Sequence, residues 1–277
     1  MTPATRAQLA LLLEVASTPT PGAIDRERDH ADLRFDHFMA GTLGAADGLE
    51  AAAGADPIGT AFERAVRGMA GAQSGGNTQL GALLLLVPMV RAAAADELTP
   101  EGATAVVERT TVEDAVAFCR AFDAVPVGLG PPPDGSADLD LREPAAAAET
   151  IEGRGISLED LMSMSAETDG IAREWTNRFE RSFGAAERLQ ALSGPLTDRG
   201  STVFLELLAT EPDTFIAKRF GEAAARRASD GAAAVLAGDR EADDLADSLQ
   251  SAGHNPGTTA DLLAGGLFIA LERGASI

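Results

Sequence analysis

A chain of 277 residues, 45% of them hydrophobic, is long enough to bury a substantial core as one large domain. Its 43 acidic and 22 basic residues leave a formal charge of −21 with a single lysine, Lys218, which excludes nucleic acid as the expected partner because phosphate backbones are held by clustered Lys and Arg. The same balance reads as a solvated acidic surface suited to a salty cytoplasm, where screening removes most of the self-repulsion.

Apolar residues recur mainly at helical spacing, and alternating runs of β-branched residues are missing, so the sequence predicts an all-α protein. Expected helices, in order, cover 5–16, 31–43, 56–72, 78–95, 112–124, 158–163, 168–192, 201–209, 215–237, 242–251 and 259–273. The first contains "LALLLEV", whose apolar run is interrupted by Glu14 and has no small-residue cleavage pattern after it, so it reads as a helix and not a leader. The longest apolar stretch, Gly81 to Val90, falls short of the roughly 18 residues a membrane span needs. Thr99, Thr111 and Ser157 each precede an acidic first turn and read as N-caps. Residues 125–155 are rich in Pro, Gly and Asp and read as a long loop. Cys119, the lone cysteine, allows neither an intrachain disulfide nor a cysteine-rich zinc site and fits a reducing cytoplasm. One helical domain over 1–277 is expected.

Common nucleotide signatures are absent: Lys218 is followed by Arg219, not by Ser or Thr after a glycine-rich turn, and no G-x-G-x-x-G occurs. His30, His37 and His254 are never at H-E-x-x-H spacing. Three loop-then-helix junctions remain. In "STPTPGAIDRERDH", Pro19, Pro21 and Gly22 break the first helix ahead of Asp25 and Arg26. On the helix that follows, Asp29, Asp32 and Asp36 share a narrow arc, which is either a solvated acidic face or a set of oxygen ligands for Mg²⁺. In "QSGGNTQLG", Gly75 and Gly76 permit close backbone approach while Asn77 or Thr78 can cap the following helix. In "GHNPGTTADLLAGGLF", Asn255 and Gly257 shape a turn, Thr258 or Thr259 can cap, and Asp261 lies in the expected first turn, where helix stability alone would explain it.

Taken together, "EVASTPTPGAID", the following "HAD", "GGNTQLG", "DTFIAKRFG" and "NPGTTADLLA" resemble, in order and at comparable spacing, the triphosphoribosyl-dephospho-coenzyme A synthase family across nearly the whole chain. The chain departs from that pattern at Thr20, where the family commonly has a lysine; at Gln79 and Leu80, where it has a histidine-lysine pair; and at Thr258 and Thr259, where it has Gly-Ser. The resemblance implies a helical transferase that joins ATP to 3′-dephospho-coenzyme A, or a related anionic acceptor, and releases adenine, and the acidic arc adds Mg²⁺ as the expected cofactor. The expected site has Asp25, Asp261 and His30 as catalytic groups. Ser17, Thr18, Arg26, Gly75, Gly76, Asn77, Thr78, Arg219, Asn255 and Gly257 would hold nucleotide, and Asp32 with Asp36 would hold the metal. Two other readings are a ribosyl or phosphoribosyl transferase with a different acceptor, and a non-catalytic nucleotide-binding helical protein.

Overall fold

The computed structural model describes residues 1–125 and 139–277, and the regular elements among them are all helical. The first eight are α1 (Pro3–Ala16), α2 (Phe35–Gly44), α3 (Ala46–Ala53), α4 (Ile58–Gly71), α5 (Leu80–Ala94), α6 (Pro100–Val107), α7 (Val112–Ala121) and α8 (Pro144–Arg154). The rest are α9 (Leu158–Ser165), α10 (Gly170–Thr176), α11 (Glu180–Ala191), α12 (Leu196–Thr210), α13 (Thr214–Phe220), α14 (Glu222–Ala237), α15 (Ala242–Ser251) and α16 (Gly257–Glu272). None of the described helices is long and apolar enough to cross a membrane.

Helices α5 and α16 are apolar on nearly all sides, and they form the centre because a helix without a polar face is stable only when surrounded. Leu83, Leu85, Leu86 and Met89 of α5 and Leu262, Leu267 and Phe268 of α16 are fully buried, each side chain contributing about 1.5–3 kcal/mol. Around them α16 packs on α1, α5, α11 and α12, while α5 packs on α3, α4 and α6. The approach of α11 depends on a missing side chain, since a Cβ at Gly266 would stand 2.6 Å from that of Ala185.

Local chemistry sets the helix ends. Thr99, Thr111 and Ser157 accept the amides of Gly102, Asp114 and Asp160 at 3.0, 3.3 and 3.1 Å, which confirms the three predicted caps. Other boundaries differ from expectation for identifiable reasons. The helix expected over 31–43 begins only at Phe35, whose amide donates to the Asp29 carboxylate at 2.8 Å, so Asp29 and Asp32 precede the helix. The segment 168–192 is two helices, because Arg178 and Phe179 take left-handed conformations with φ of 68° and 57°. There the Glu174 carboxylate caps α11, accepting from the Arg181 and Ser182 amides at 3.1 and 2.8 Å. Gly221, at φ +86°, divides 215–237 into α13 and α14. Helix α8 occupies much of the expected 125–155 loop, of which 126–138 lies outside the described residues.

Candidate active site

The first junction is a buried turn held by its own carboxylate. After α1 ends at Ser17, the Thr18–Pro19 peptide is cis and Gly22 takes φ +84°, a conformation that admits glycine cheaply. Asp25, almost fully buried, accepts the Thr20 amide at 3.1 Å through one oxygen and the Glu27 and Arg28 amides at 2.8 and 3.0 Å through the other. His30 Nε2 donates to the Gly22 carbonyl at 3.0 Å, the direction required because a carbonyl only accepts. Asp25 and His30 therefore both hold the turn of this loop through hydrogen bonds to its backbone. Ser17 is also committed: its hydroxyl donates to the Leu13 carbonyl at 2.8 Å, and Gly200 of α12 covers it.

The three junctions meet although they lie far apart in sequence. Gly22 lies against the third, where a Cβ would come within 2.8 Å of the His254 carbonyl. The second and third meet at Gly81, beside which the Asp261 carboxylate fills the space a side chain would need. Asp261 also accepts the Ala82 amide, so the fifth residue of α16 caps the first turn of α5. Asn77 caps α5 as expected, its Oδ1 accepting the Leu80 amide at 3.0 Å. Thr78 does not cap: its Oγ1 is buried without a hydrogen-bond partner and lies where a Cβ on Gly41 would meet it at 2.8 Å. Gly76 turns the loop at φ +84°, and Gly75 packs against the His37 ring.

At the third junction Asn255 accepts the Gly257 amide at 2.9 Å through its carbonyl, and Gly257 packs on the Phe215 ring. The expected caps, Thr258 and Thr259, are instead held from outside. Asp213, at 2% exposure, accepts the Phe215 and Ile216 amides of α13 through one oxygen; its other oxygen accepts both the amide and the hydroxyl of Thr259, each at 2.8 Å. Thr258 and Thr214 share a hydrogen bond at 3.0 Å, and Thr214 accepts the Gly170 amide at 3.0 Å. The starts of α10, α13 and α16 are thereby locked together. Arg219 lies over the Phe215 and Phe220 rings at 5.4 Å from each centroid, and Phe220 packs on His254. Arg26 is exposed on the first loop.

Electrostatics singles out two carboxylates. Burial raises the pKa of Glu14 well above the ordinary carboxylate range, and the charges of Asp261 and Asp25 raise it further. Asp261 is raised well above that range by burial too; the Ala82 amide opposes the shift, and Asp213 and Asp169 add to it. Asp261 nevertheless keeps partial solvent exposure, so it stands at a wall of the site, whereas Glu14 is 4% exposed beneath it in α1. On the first and second junction loops the Thr18, Thr20 and Thr78 hydroxyls, and on α2 the His37 Nε2, are buried and unpartnered, polar atoms that a ligand would satisfy.

Sequence reasoning missed Glu14 and Asp213 as site residues. Glu14 left a readable signal, a single charge inside an apolar helix, whereas the reach of Asp213 to Thr259 left none. The acidic arc does not form, because α2 starts after Asp29 and Asp32. Asp36, exposed in its first turn, is forked by the Arg34 guanidinium at 3.0 Å from each oxygen. Among the described residues no three His, Cys, Asp or Glu side chains stand as a metal-binding group, and Asp32 and Asp36 do not share a helix.

A family model described as CitG, ATP:dephospho-CoA triphosphoribosyl transferase, matches residues 1–276. Among solved structures, a crystal structure from Archaeoglobus fulgidus, provisionally described as a triphosphoribosyl-dephospho-coA synthase, is 27% identical with a TM-score of 0.73. That alignment covers 88% of this chain and 100% of the other. No curated protein gives a significant match.

Proposed function

Because the chain belongs to the ATP:dephospho-CoA triphosphoribosyl transferase family, we propose that the meeting point of its three junctions is where the triphosphoribosyl group passes from ATP to dephospho-CoA. A ribose hydroxyl of the acceptor attacks C1′ of the ATP ribose, the new C1′–O bond forms, the C1′–N bond to adenine breaks, and adenine leaves. Positive charge develops on the ribose in the transition state, so fixed carboxylates beside it stabilise that state more than the ground state.

The observation that carries this reading is the pairing of buried Glu14 with partly exposed Asp261, both raised well above the ordinary carboxylate range. Mutual repulsion favours one proton on the pair. The ionised member takes the proton of the attacking hydroxyl, and the protonated member supplies one to the departing adenine nitrogen. Asp25, with His30, holds the loop that carries Thr18 and Thr20. The unpartnered Thr18, Thr20 and Thr78 hydroxyls bind nucleotide oxygens, and Arg219 meets the triphosphate. The capped start of α5 adds its dipole to that anion site. Mg²⁺ carried by the triphosphate counts here as part of the ATP substrate. The cytoplasm is the proposed location, with the acidic surface adapted to salt.

The test is free adenine. Purified protein with ATP and dephospho-CoA should release adenine in proportion to the joined product. Adenine release with another anionic acceptor but none with dephospho-CoA would favour the alternative transferase.

A further inference from the structure

Arginines in this chain are mostly neutralised by its acidic surface: Arg28, Arg34, Arg64, Arg173 and Arg188 all lie within ion-pair distance of a carboxylate. The cleft between α14 and α15 departs from that pattern. It encloses about 500 Å³, and Arg227, Asp230, Arg240, Leu245, Leu249 and His254 are among its lining residues. Among the described residues neither Arg227 nor Arg240 pairs with a carboxylate, and Arg240 donates only to the Asp244 carbonyl, at 2.8 Å. Two guanidiniums against the single carboxylate of Asp230 leave the lining of this cleft net positive on a protein of charge −21, a local site for an anion.

The cleft adjoins the active site. Leu249 and the His254 carbonyl, on its inner wall, are the groups that Gly22 touches. Helix α15 is also fixed to the first-junction loop: Arg28 pairs with Asp243 at 2.9 Å, and Gln250 donates to the Asp29 carbonyl at 2.6 Å. Burial and the Arg227 charge lower the His254 pKa, which keeps its ring neutral at physiological pH and able both to donate and to accept. Leu245, Leu249, Ala234 and Ala252 supply an apolar wall beside these polar groups.

Resting on the reaction proposed above, we propose that this cleft binds the acceptor. Arg227 and Arg240 hold the diphosphate of dephospho-CoA, and the apolar wall receives its pantetheine arm. The acceptor's ribose then projects past His254 toward Glu14 and Asp261. A cleft of a few hundred cubic ångströms with convergent polar groups and an apolar wall suits such a mixed ligand.

Calorimetric titration of the full chain with dephospho-CoA, ATP and AMP, comparing wild type with the Arg227→Gln/Arg240→Gln double variant, tests this. Melting curves establish that the variant is folded, and Arg227→Lys is a charge-retaining control. Dephospho-CoA affinity should fall at least tenfold in the double variant and less in Arg227→Lys, with ATP and AMP affinities within twofold of wild type. Unchanged dephospho-CoA affinity, or an equal loss of ATP affinity, would overturn the assignment, as would wild type failing to bind dephospho-CoA. Wild type that shows the expected binding pattern but releases no adenine would refute the proposed reaction and leave the cleft assignment standing.

Discussion

The Asp261 carboxylate occupies the space beside Gly81 that any larger residue would need, and in that position it accepts the amide of Ala82. One contact thus fixes both the capping of α5 and the placement of the proposed catalytic carboxylate. Gly81→Ala should push Asp261 aside. Overpacking should cost roughly 1–3 kcal/mol in a denaturant titration. Adenine release should fall on the order of 10²-fold, since small misplacements of reacting groups cost that much. Unchanged turnover with a folded protein would show that Asp261 need not sit there.

Glu14 sets a pH dependence of stability. Its native pKa lies above the unfolded value because of burial and the Asp261 and Asp25 charges. As pH rises, the unfolded chain releases this proton first, so stability is lost from the unfolded pKa upward until the native pKa is passed. Glu14→Gln removes that loss. Its melting temperature relative to wild type should increase as pH rises above the unfolded carboxylate pKa and level off once the raised native pKa is passed, while adenine release falls. A difference that is flat with pH would mean that Glu14 is not held protonated.

Asp213 ties α13 to α16 through four accepted hydrogen bonds, two to each helix. Asp213→Ala leaves those amides and the Thr259 hydroxyl unpaired. Equilibrium unfolding in urea should register a loss of roughly 2–4 kcal/mol. A loss within a few tenths of a kcal/mol would show that water replaces the carboxylate at no cost.

Asp36 is committed to Arg34 on an exposed turn. Asp36→Asn should leave the Mg²⁺ concentration that supports half-maximal adenine release within twofold of wild type. A tenfold increase would restore Asp36 to a metal role.

What the sequence made legible was local. Uninterrupted apolar runs marked α5 and α16, and short-range side-chain chemistry marked the caps at Thr99, Thr111, Ser157 and Asn77. The 3.6-residue period places Asp29, Asp32 and Asp36 together only if they share a helix, and Asp29 spends its carboxylate starting that helix at Phe35. Asp261 illustrates the other limit. In a helix expected to start at 259 it reads as a cap of its own helix, but α16 starts at Gly257 and the partner of Asp261 is the Ala82 amide of another helix. Asp213 likewise caps its own helix and one that starts more than forty residues later. Such pairings follow from which helix starts the packed core brings together, and no local pattern encodes them.

The most direct test of the account is adenine release by Asp261→Asn. Asparagine can still accept the Ala82 amide, so the helix start survives while the ionisable carboxylate is lost. Wild type should release adenine only when ATP and dephospho-CoA are both present, and Asp261→Asn should lose at least 10²-fold in rate with a melting temperature no lower than wild type. Turnover by Asp261→Asn at the wild-type rate would contradict the assignment of catalysis to this carboxylate.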